Sequence, residues 1–326
     1  MTDVLDVRGL SVTFQTDGGP VHAVRDLSLT VRHGEVVGIV GESGSGKSVT
    51  MLSVLRLLDT RRTEITADRM TVDGWSLMNL SSAALQDIRG PVVSYIFQDP
   101  LTALNPLLTV GRQLTEGMRR HLGLSRPEAQ ARALDLLRLV GIPAPELRLR
   151  QRVHQMSGGM RQRVMIAIAL AANPKLLIAD EPTTALDVTV QAEIVRLVQA
   201  IQAERGMAMV WVTHDLALLA RLAHRVVVMY AGRVIEDAPA AALYATPLHP
   251  YTAGLLASTS RIDDPFSEQV SIPGAPPDPR VVSPGCSFAP RCSRAQSVCL
   301  TAVPELVTRT TGRRIACFNP LPESAP

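Results

Sequence analysis

The sequence predicts an α/β protein built around a mostly parallel sheet and followed by a small irregular extension. Short aliphatic runs alternate with helical stretches, as expected where crossover helices connect parallel strands. A glycine-rich loop lies between the first of these runs and a helical stretch. Hydrophobic residues make up 46% of the 326-residue chain and aromatic residues only 3%. Such an aliphatic composition suits strands that are buried on both faces.

The order of these elements divides the chain into a large domain and an extension. Five apolar runs are predicted to be strands of the sheet: Val36–Val40, Val92–Phe97, Leu176–Ala179, Met207–Thr213 and Val226–Met229. Residues 99–172 are mostly helical and form a predicted subdomain. In it, Ser125 and Glu128 form a capping box that opens a helix ending at Gly141. We assign residues 1–240 to the main domain and residues 241–326 to the C-terminal extension, which is rich in Pro, Ser and Ala.

The glycine-rich loop matches the G-x-x-x-x-G-K-[ST] pattern of a phosphate-binding loop. It comprises Gly41, Glu42, Ser43, Gly44, Ser45, Gly46, Lys47 and Ser48, and Val49 follows as the start of a predicted helix over 49–58. Backbone N–H groups of such a loop surround a polyphosphate, and the positive end of the following helix adds to the attraction. Lys47 is expected to reach the β- and γ-phosphates, and the Ser48 hydroxyl to hold Mg²⁺. The loop predicts that the chain binds a nucleoside triphosphate.

Two carboxylates end the strand at Leu176–Ala179. In phosphate-loop enzymes the first carboxylate of such a pair lies beside the Mg²⁺, which is the role predicted for Asp180. Glu181 is placed to polarise the attacking water as a general base. Two solvated carboxylates at a strand end are the alternative explanation, and the phosphate loop upstream makes it the weaker one.

With these residues the chain resembles the ATP-binding subunits of ABC transporters over residues 1 to about 260. The resemblance adds four elements to the phosphate loop and the strand carboxylates: Gln98, Ser157-Gly158-Gly159-Met160, Ala185-Leu186-Asp187 and His214. It implies that Gln98 contacts Mg²⁺ and water, that Asp187 belongs to the D-loop, and that His214 contacts the γ-phosphate and orients water. Met160 stands where the family usually has Gln. An ordinary surface or core histidine is the alternative explanation for His214.

The segment around Ser157 also has a physical explanation of its own. Ser157 is predicted to be the N-cap of a helical run over 160–172, where two glycines expose N–H donors to a second anion. One chain therefore has two phosphate-binding ends but a single phosphate loop. The resemblance implies that two ATPase subunits pair head to tail, so that each Ser157 segment caps the γ-phosphate on the other subunit.

Phe14 is the remaining candidate for nucleotide contact. Its ring could stack on adenine, or it could face a core, because it alternates with Leu10 and Val12. The sequence leaves these two explanations equal.

Charge and hydropathy exclude several other classes of protein. The net charge is only +3 with no block of like charges, so the sequence has no nucleic-acid footprint. Residues 1–6 include two acids and lack a signal-peptide core. The longest apolar run, Val164 to Ala172, is about half of a membrane span. We therefore expect a peripheral protein on the cytoplasmic face of the inner membrane, which reaches that membrane through partners.

The extension carries every cysteine of the chain: Cys286, Cys292, Cys299 and Cys317. Its apolar content is too small for independent folding, so the cysteines suggest a covalent or metal staple. A reducing cytoplasm disfavours disulfides, and the spacings of 5, 6 and 17 residues do not suit zinc, although zinc and free thiols remain alternatives. Four thiolates match an iron–sulfur cluster. The segment His249–Thr252 with Leu255-Leu256 resembles the oligopeptide/dipeptide importer branch, and that resemblance implies a [4Fe–4S] cluster here.

Taken together, the residues and the resemblance predict an ATPase subunit that powers import of di- or oligopeptides across the bacterial inner membrane. ATP and Mg²⁺ are the expected ligands. The expected partners are a second, different ATPase subunit, two transmembrane permeases and, indirectly, an extracytoplasmic substrate-binding protein. Nickel, glutathione or a glycoside as cargo, and an exporter, remain alternatives. A soluble ABC ATPase of DNA repair or translation is a remote one, because the chain lacks a long coiled coil and a second ATPase domain.

Overall fold

The fold is taken from a computed structural model, which describes residues 3–183, 187–258, 271–309 and 312–323. The strands within these residues are β1 (Asp3–Thr16), β2 (Gly19–Arg32), β3 (Val36–Val40), β4 (Thr63–Thr66), β5 (Arg69–Val72), β6 (Trp75–Ser76), β7 (Val93–Ile96), β8 (Leu176–Asp180), β9 (Ala208–Val212), β10 (Arg225–Tyr230), β11 (Arg233–Pro239), β12 (Val307–Thr308) and β13 (Arg314–Ile315). The α-helices are α1 (Lys47–Val54), α2 (Ser82–Ile88), α3 (Pro100–Ala103), α4 (Val110–Leu122), α5 (Arg126–Leu139), α6 (Pro145–Arg148), α7 (Gly158–Leu170), α8 (Val188–Arg205), α9 (Leu216–Leu222), α10 (Ala240–Ala245), α11 (Pro250–Ser258) and α12 (Ser297–Thr301).

The chain divides into two compact units. The first comprises residues 1–5, 31–35 and 71–210, and the second comprises residues 6–30, 36–70 and 211–326. The division falls within β1, β2, β5 and β9, because each of these strands begins in one unit and ends in the other.

The first unit contains the predicted helical subdomain and two of the predicted parallel strands. β7 and β8 pair in parallel, from Val93 opposite Leu176 to Ile96 opposite Ala179. Between these two strands the chain is mostly helical, from α3 to α7, as the sequence predicts. Its core includes Leu114, Met118 and Leu137, which are fully buried. The capping box at α5 is present, because the Glu128 carboxylate accepts from the backbone N–H and hydroxyl of Ser125.

The second unit is built on a sheet that mixes parallel and antiparallel pairs. β3 pairs in parallel with β10, and β10 turns back on β11 as an antiparallel hairpin. β13 extends this sheet from β11, and β12 pairs with β13. The C-terminal extension therefore contributes two short strands to the sheet of this unit. The sequence analysis did not predict β11, β12 or β13.

The five predicted strands are present, and no strand end differs from its predicted position by more than one residue. β3 has the predicted bounds, while β10 runs one residue further at each end. The long strands β1 and β2 were missed, although the alternation of Leu10, Val12 and Phe14 already indicated a strand. Among the described residues, no helix is both long enough and apolar enough to span a membrane.

Candidate functional site

The phosphate loop, residues 41–48, follows the buried strand β3 in the second unit. Gly46 is the N-cap of α1 with φ +97°, and a Cβ there would lie 2.5 Å from the Ala23 carbonyl oxygen. A Cβ on Gly41 would overlap the Met229 carbonyl oxygen. Only glycine allows the backbone to approach its neighbours this closely. The strand, loop and helix of the predicted motif are therefore present in this unit.

The side chains of the loop divide into an exposed and a buried set. Ser43 and Gly44 are exposed, Ser45 to Lys47 are buried, and Glu42, Ser48 and Val49 are half-buried. The Lys47 ammonium donates to the carbonyls of Gly41 at 2.8 Å and of Glu42 at 3.0 Å. The Ser45 hydroxyl is buried and has no hydrogen-bond partner among the described residues.

The geometry of this loop is suited to binding the phosphates of a nucleoside triphosphate with its Mg²⁺. A buried hydroxyl without a partner is costly, and a phosphate oxygen would satisfy it. Lys47 already lies over the loop, where its charge can meet a phosphate. Gly41, Gly44 and Gly46 all have positive φ. In loops of this kind, such a backbone allows successive N–H groups to bind a common anion.

Asp180 ends β8 in the first unit and is 5% exposed. The Tyr95 hydroxyl, on the neighbouring strand β7, donates to Asp180 Oδ2 at 2.7 Å. Burial, and then the negative charge of Asp180, raise the pKa of Tyr95 far above its usual value. The phenol therefore keeps its proton and fixes one carboxylate oxygen. The sequence analysis missed Tyr95, although its position in a strand beside the Asp180 strand was the available signal.

Glu181 follows directly, and its backbone is in the left-handed region with φ +44°. Gln98 Nε2 donates to Glu181 Oε2 at 3.3 Å, so the structure brings together two residues that were predicted separately. The buried Gln162 of α7 donates to the carbonyl of Pro182, the next residue along the chain. The sequence analysis assigned no role to Gln162.

The segment around Ser157 has the predicted helix-capping geometry. The Ser157 hydroxyl accepts from the Met160 N–H at 3.4 Å, and α7 begins at Gly158, two residues before the predicted run. Ser157 and Gly158 are exposed, and a Cβ on Gly158 would meet nothing within 4 Å. Gly159 is more crowded, because a Cβ there would lie 3.3 Å from Val190 Cγ1.

Asp187 is also a helix cap, because its carboxylate accepts from the Val190 N–H at 2.9 Å. The other two residues of the predicted D-loop, Ala185 and Leu186, lie outside the described residues. His214 is exposed between β9 and α9, and Asp215 after it caps α9 by accepting from the Leu218 N–H at 3.0 Å.

Phe14 is half-buried in β1, opposite Thr63 of β4. Leu10 and Val12 on the same alternation are fully buried. Stacking of Phe14 on adenine stays a prediction.

The prediction of an iron–sulfur cluster is wrong. All four cysteines belong to the described residues, and no group of three or more His, Cys, Asp or Glu among those residues could hold a metal ion. The same finding removes zinc as the staple. Burial raises the pKa of Cys286, and it raises the pKa of Cys317 to about 11, so these two thiols are kept in the neutral form.

The extension is stabilised by packing against β10 and β11, and not by the covalent or metal staple that the sequence analysis expected. Arg313 is paired with the fully buried Glu236 of β11 at 2.9 Å, and Arg314 is paired with Asp237. Phe288 packs edge-on against Tyr230 of β10, with ring centroids 5.3 Å apart. These contacts lie within the second unit. The prediction failed because an extension docked on a larger unit does not have to fold alone.

The fold and the site define an ATPase of the ABC class. A family model described as "ABC transporter" matches residues 24–184, and one described as "Oligopeptide/dipeptide transporter, C-terminal region" matches residues 235–299. The dipeptide transport ATP-binding protein DppD of Bacillus subtilis is 46% identical over 318 residues, which cover 98% of this chain and 95% of the relative. The oligopeptide transport ATP-binding protein AppD of the same organism is 44% identical, over 98% and 97% of the two chains.

Solved structures agree with this class. The ATP-binding cassette MJ0796, in a dimeric post-hydrolysis state with ADP and Pi, is similar with a TM-score of 0.64 and 28% identity over 72% of this chain and 98% of that one. CbiO1 from Clostridium perfringens, part of an ABC transporter complex, gives a TM-score of 0.61 and 28% identity over 75% and 92% of the two chains. The chain belongs to the ATP-binding proteins of ABC transporters, in the branch that carries the oligopeptide/dipeptide C-terminal region. It is an ATPase.

Proposed function

We propose that this chain is the ATP-hydrolysing subunit of a bacterial importer of di- or oligopeptides. The observation that carries the proposal is the C-terminal region, which matches the peptide-transporter model over residues 235–299 and is docked on the same unit as the phosphate loop. The relatives named for dipeptide and oligopeptide transport support the same cargo. They do not support the remote alternative of DNA repair or translation.

The residues of the phosphate loop are proposed to bind ATP. The N–H groups of residues 44–48 surround the phosphates, the Lys47 ammonium neutralises charge on the β- and γ-phosphates, and the Ser45 hydroxyl finds its missing partner there. Ser48, Gln98 and Asp180 would hold Mg²⁺, which supplies further charge neutralisation when bound. The hydrogen bond from Tyr95 fixes one carboxylate oxygen of Asp180 and so supports its role as a Mg²⁺ ligand.

Glu181 is proposed to accept a proton from the attacking water, with His214 orienting that water. The hydrogen bond from Gln98 holds the Glu181 carboxylate in a defined direction, which favours its action as a base. Ser157 and Gly158, both exposed at the start of α7, suit a role in capping the γ-phosphate of a second ATPase subunit. Hydrolysis in such a pair would drive the permeases of the transporter.

The partners follow from this assignment. We propose a second ATPase subunit of different sequence, two transmembrane permeases, and a position on the cytoplasmic face of the inner membrane. A substrate-binding protein would deliver cargo from the other side.

The test is purification of the tagged chain from its native membrane, followed by reconstitution. Two permeases and a second ATPase subunit should co-purify. Proteoliposomes with these subunits and the binding protein should take up labelled di- or oligopeptides only when MgATP is supplied on the ATPase side. Uptake of nickel or glutathione without peptide uptake would contradict the peptide assignment and leave the ATPase assignment intact.

A further inference from the structure

The C-terminal extension reaches the phosphate loop through one ion pair. Arg291 donates to both carboxylate oxygens of Glu42, from Nη1 at 2.8 Å and from Nη2 at 3.0 Å. The Arg291 side chain is 5% exposed and that of Glu42 is 26% exposed. A bidentate pair of this kind fixes the orientation of the carboxylate as well as its position. Glu42 is the second residue of the loop, so the contact lies within the phosphate-binding motif itself.

The Arg291 guanidinium is held by groups of the extension and by Tyr230 of β10. Nε donates to the Pro273 carbonyl at 2.9 Å, and Nη1 donates to the Tyr230 hydroxyl at 3.3 Å. The guanidinium also lies 5.8 Å from the centre of the Tyr230 ring and 6.0 Å from that of Phe288. Such contacts leave the side chain little freedom to follow Glu42 if the loop moved. The extension therefore provides a fixed point for the loop.

Glu42 is linked to the nucleotide-binding groups through its backbone. Its carbonyl accepts from the Lys47 ammonium at 3.0 Å, and its N–H donates to the Tyr251 hydroxyl at 2.9 Å. Tyr251 belongs to α11 and is fully buried. Two residues C-terminal to 240 thus fix the side chain and the N–H of Glu42, while the phosphate-binding lysine contacts its carbonyl.

The charge of Glu42 makes Arg291 important for ATP affinity. A carboxylate in a phosphate-binding loop repels a triphosphate unless a cation neutralises it. Within the described residues, Arg291 is the cation paired with Glu42. We propose that Arg291 is a positioning residue of the ATP site, which neutralises Glu42 and fixes the start of the phosphate loop. The extension is thereby a functional part of nucleotide binding. This inference rests on ATP binding by the chain and is independent of the cargo.

The experiment compares Arg291→Gln, Glu42→Gln and the double variant in the full-length chain. Affinity for MgATP is measured by calorimetry, and KM and kcat are measured in the assembled transporter. Arg291→Gln should raise Kd and KM by about 5- to 20-fold with kcat within about twofold, because an uncompensated charge then opposes binding. The defect should shrink as salt is raised, because salt screens the repulsion. Adding Glu42→Gln should restore most of the affinity.

Arg294→Gln is the matched control. Arg294 is a half-buried arginine of the extension, and its guanidinium donates to Asn319 and Pro320. It should leave KM and kcat unchanged. Unaltered affinity in Arg291→Gln would overturn the proposal, as would an affinity defect that Glu42→Gln does not relieve. Wild-type protein that binds MgATP but imports no peptide would count against the proposed cargo alone.

Discussion

Glu181 has an uncommon backbone conformation, and a hydrogen bond orients its side chain. A positive φ is unfavourable for a residue with a Cβ, and such strain is found most often at functional sites. The bond from Gln98 then fixes one carboxylate oxygen. A residue that is held in both ways suits a base that must meet one water molecule, because general-base catalysis requires a defined geometry.

Replacing Glu181 with Gln should separate ATP binding from hydrolysis. The amide cannot accept a proton, so turnover should fall on the order of 10²- to 10⁴-fold. The affinity for MgATP should stay close to that of the wild type, because the phosphate loop is unchanged. Single-turnover hydrolysis and calorimetric binding measure the two quantities.

The control for this variant is Glu193→Gln. Glu193 is a half-exposed carboxylate of α8 that pairs with Arg163, and its loss should change neither quantity. Rapid turnover by Glu181→Gln would show that the base is another residue.

The site residues show which roles a sequence can reveal. Lys47, Asp180 and Glu181 stand in motifs of fixed spacing, so the amino-acid sequence alone makes them candidates for the ATP site. Tyr95 is not identified in this way, because its role depends on the pairing of β7 with β8, and a tyrosine in an apolar strand carries no sign of its partner. The Arg291–Glu42 pair joins residues 249 positions apart, and neither one has a local pattern that identifies the other.

At the level of secondary structure, the strands that could be predicted are those buried on both faces of the sheet. β3, β8 and β9 are five-residue strands with every residue buried. Each is a continuous run without a charged residue, except for Asp180 at the end of β8. β11 is almost as buried but contains Glu236 and Asp237, which interrupt its apolar run. These carboxylates are neutralised by Arg313, Arg225 and Arg314. Arg313 and Arg314 lie 77 positions after the carboxylates with which they pair, in the extension.

Helix α7 offers a test of whether Ser157 acts only as a cap. Replacing an N-cap Ser with Ala costs about 1 kcal/mol, whereas Gly costs only a few tenths. Ser157→Ala should therefore lower the thermal midpoint more than Ser157→Gly. If the hydroxyl also contacts a γ-phosphate, both variants should lose ATPase activity to a similar extent. Thermal unfolding and steady-state ATPase assays of the assembled transporter distinguish the two effects.

A loss of activity that follows stability would contradict the phosphate role of Ser157. In that case Ser157→Gly would keep most of the turnover and Ser157→Ala would not. Ser81→Ala is a suitable control, because Ser81 is the N-cap of α2 and accepts from the Ala84 N–H at 3.2 Å.

For the molecule as a whole, the extension is the part that the sequence described least well. Its low apolar content and clustered cysteines suggested a segment that needed a staple. The structure instead shows buried arginine–carboxylate pairs and an aromatic cluster that includes Phe288, Tyr230 and Tyr251. Removing one partner of a buried pair leaves an uncompensated charge, which costs about 3–5 kcal/mol. Folding of the second unit and docking of the extension are therefore expected to be one cooperative event.

The buried side chain of His249, in the extension, predicts that the free energy of unfolding decreases at low pH. The residue is 2% exposed, its Nδ1 accepts from the Tyr251 N–H at 3.0 Å, and its ring lies 5.7 Å from that of Phe288. Burial lowers the pKa of His249 from 6.5 to about 3. The unfolded chain therefore binds a proton below about pH 6.5 that the folded chain excludes. The contribution of neutral His249 to the free energy of unfolding is fully present above that pH. It is lost as the pH falls toward 3, by up to about 1.4 kcal/mol per pH unit.

Urea unfolding at pH 7.5, 6.5, 5.5 and 5.0 measures this dependence. His249→Gln should be less stable at pH 7.5, because it disturbs a packed site, but its stability should fall less steeply toward pH 5.0. His154→Gln, at an exposed position, should have the slope of the wild type. Equal slopes in His249→Gln and the wild type would mean that the acid sensitivity comes from other groups. A reduced slope in His249→Gln alone would show that acid acts on the packing of His249 against Phe288, within the extension.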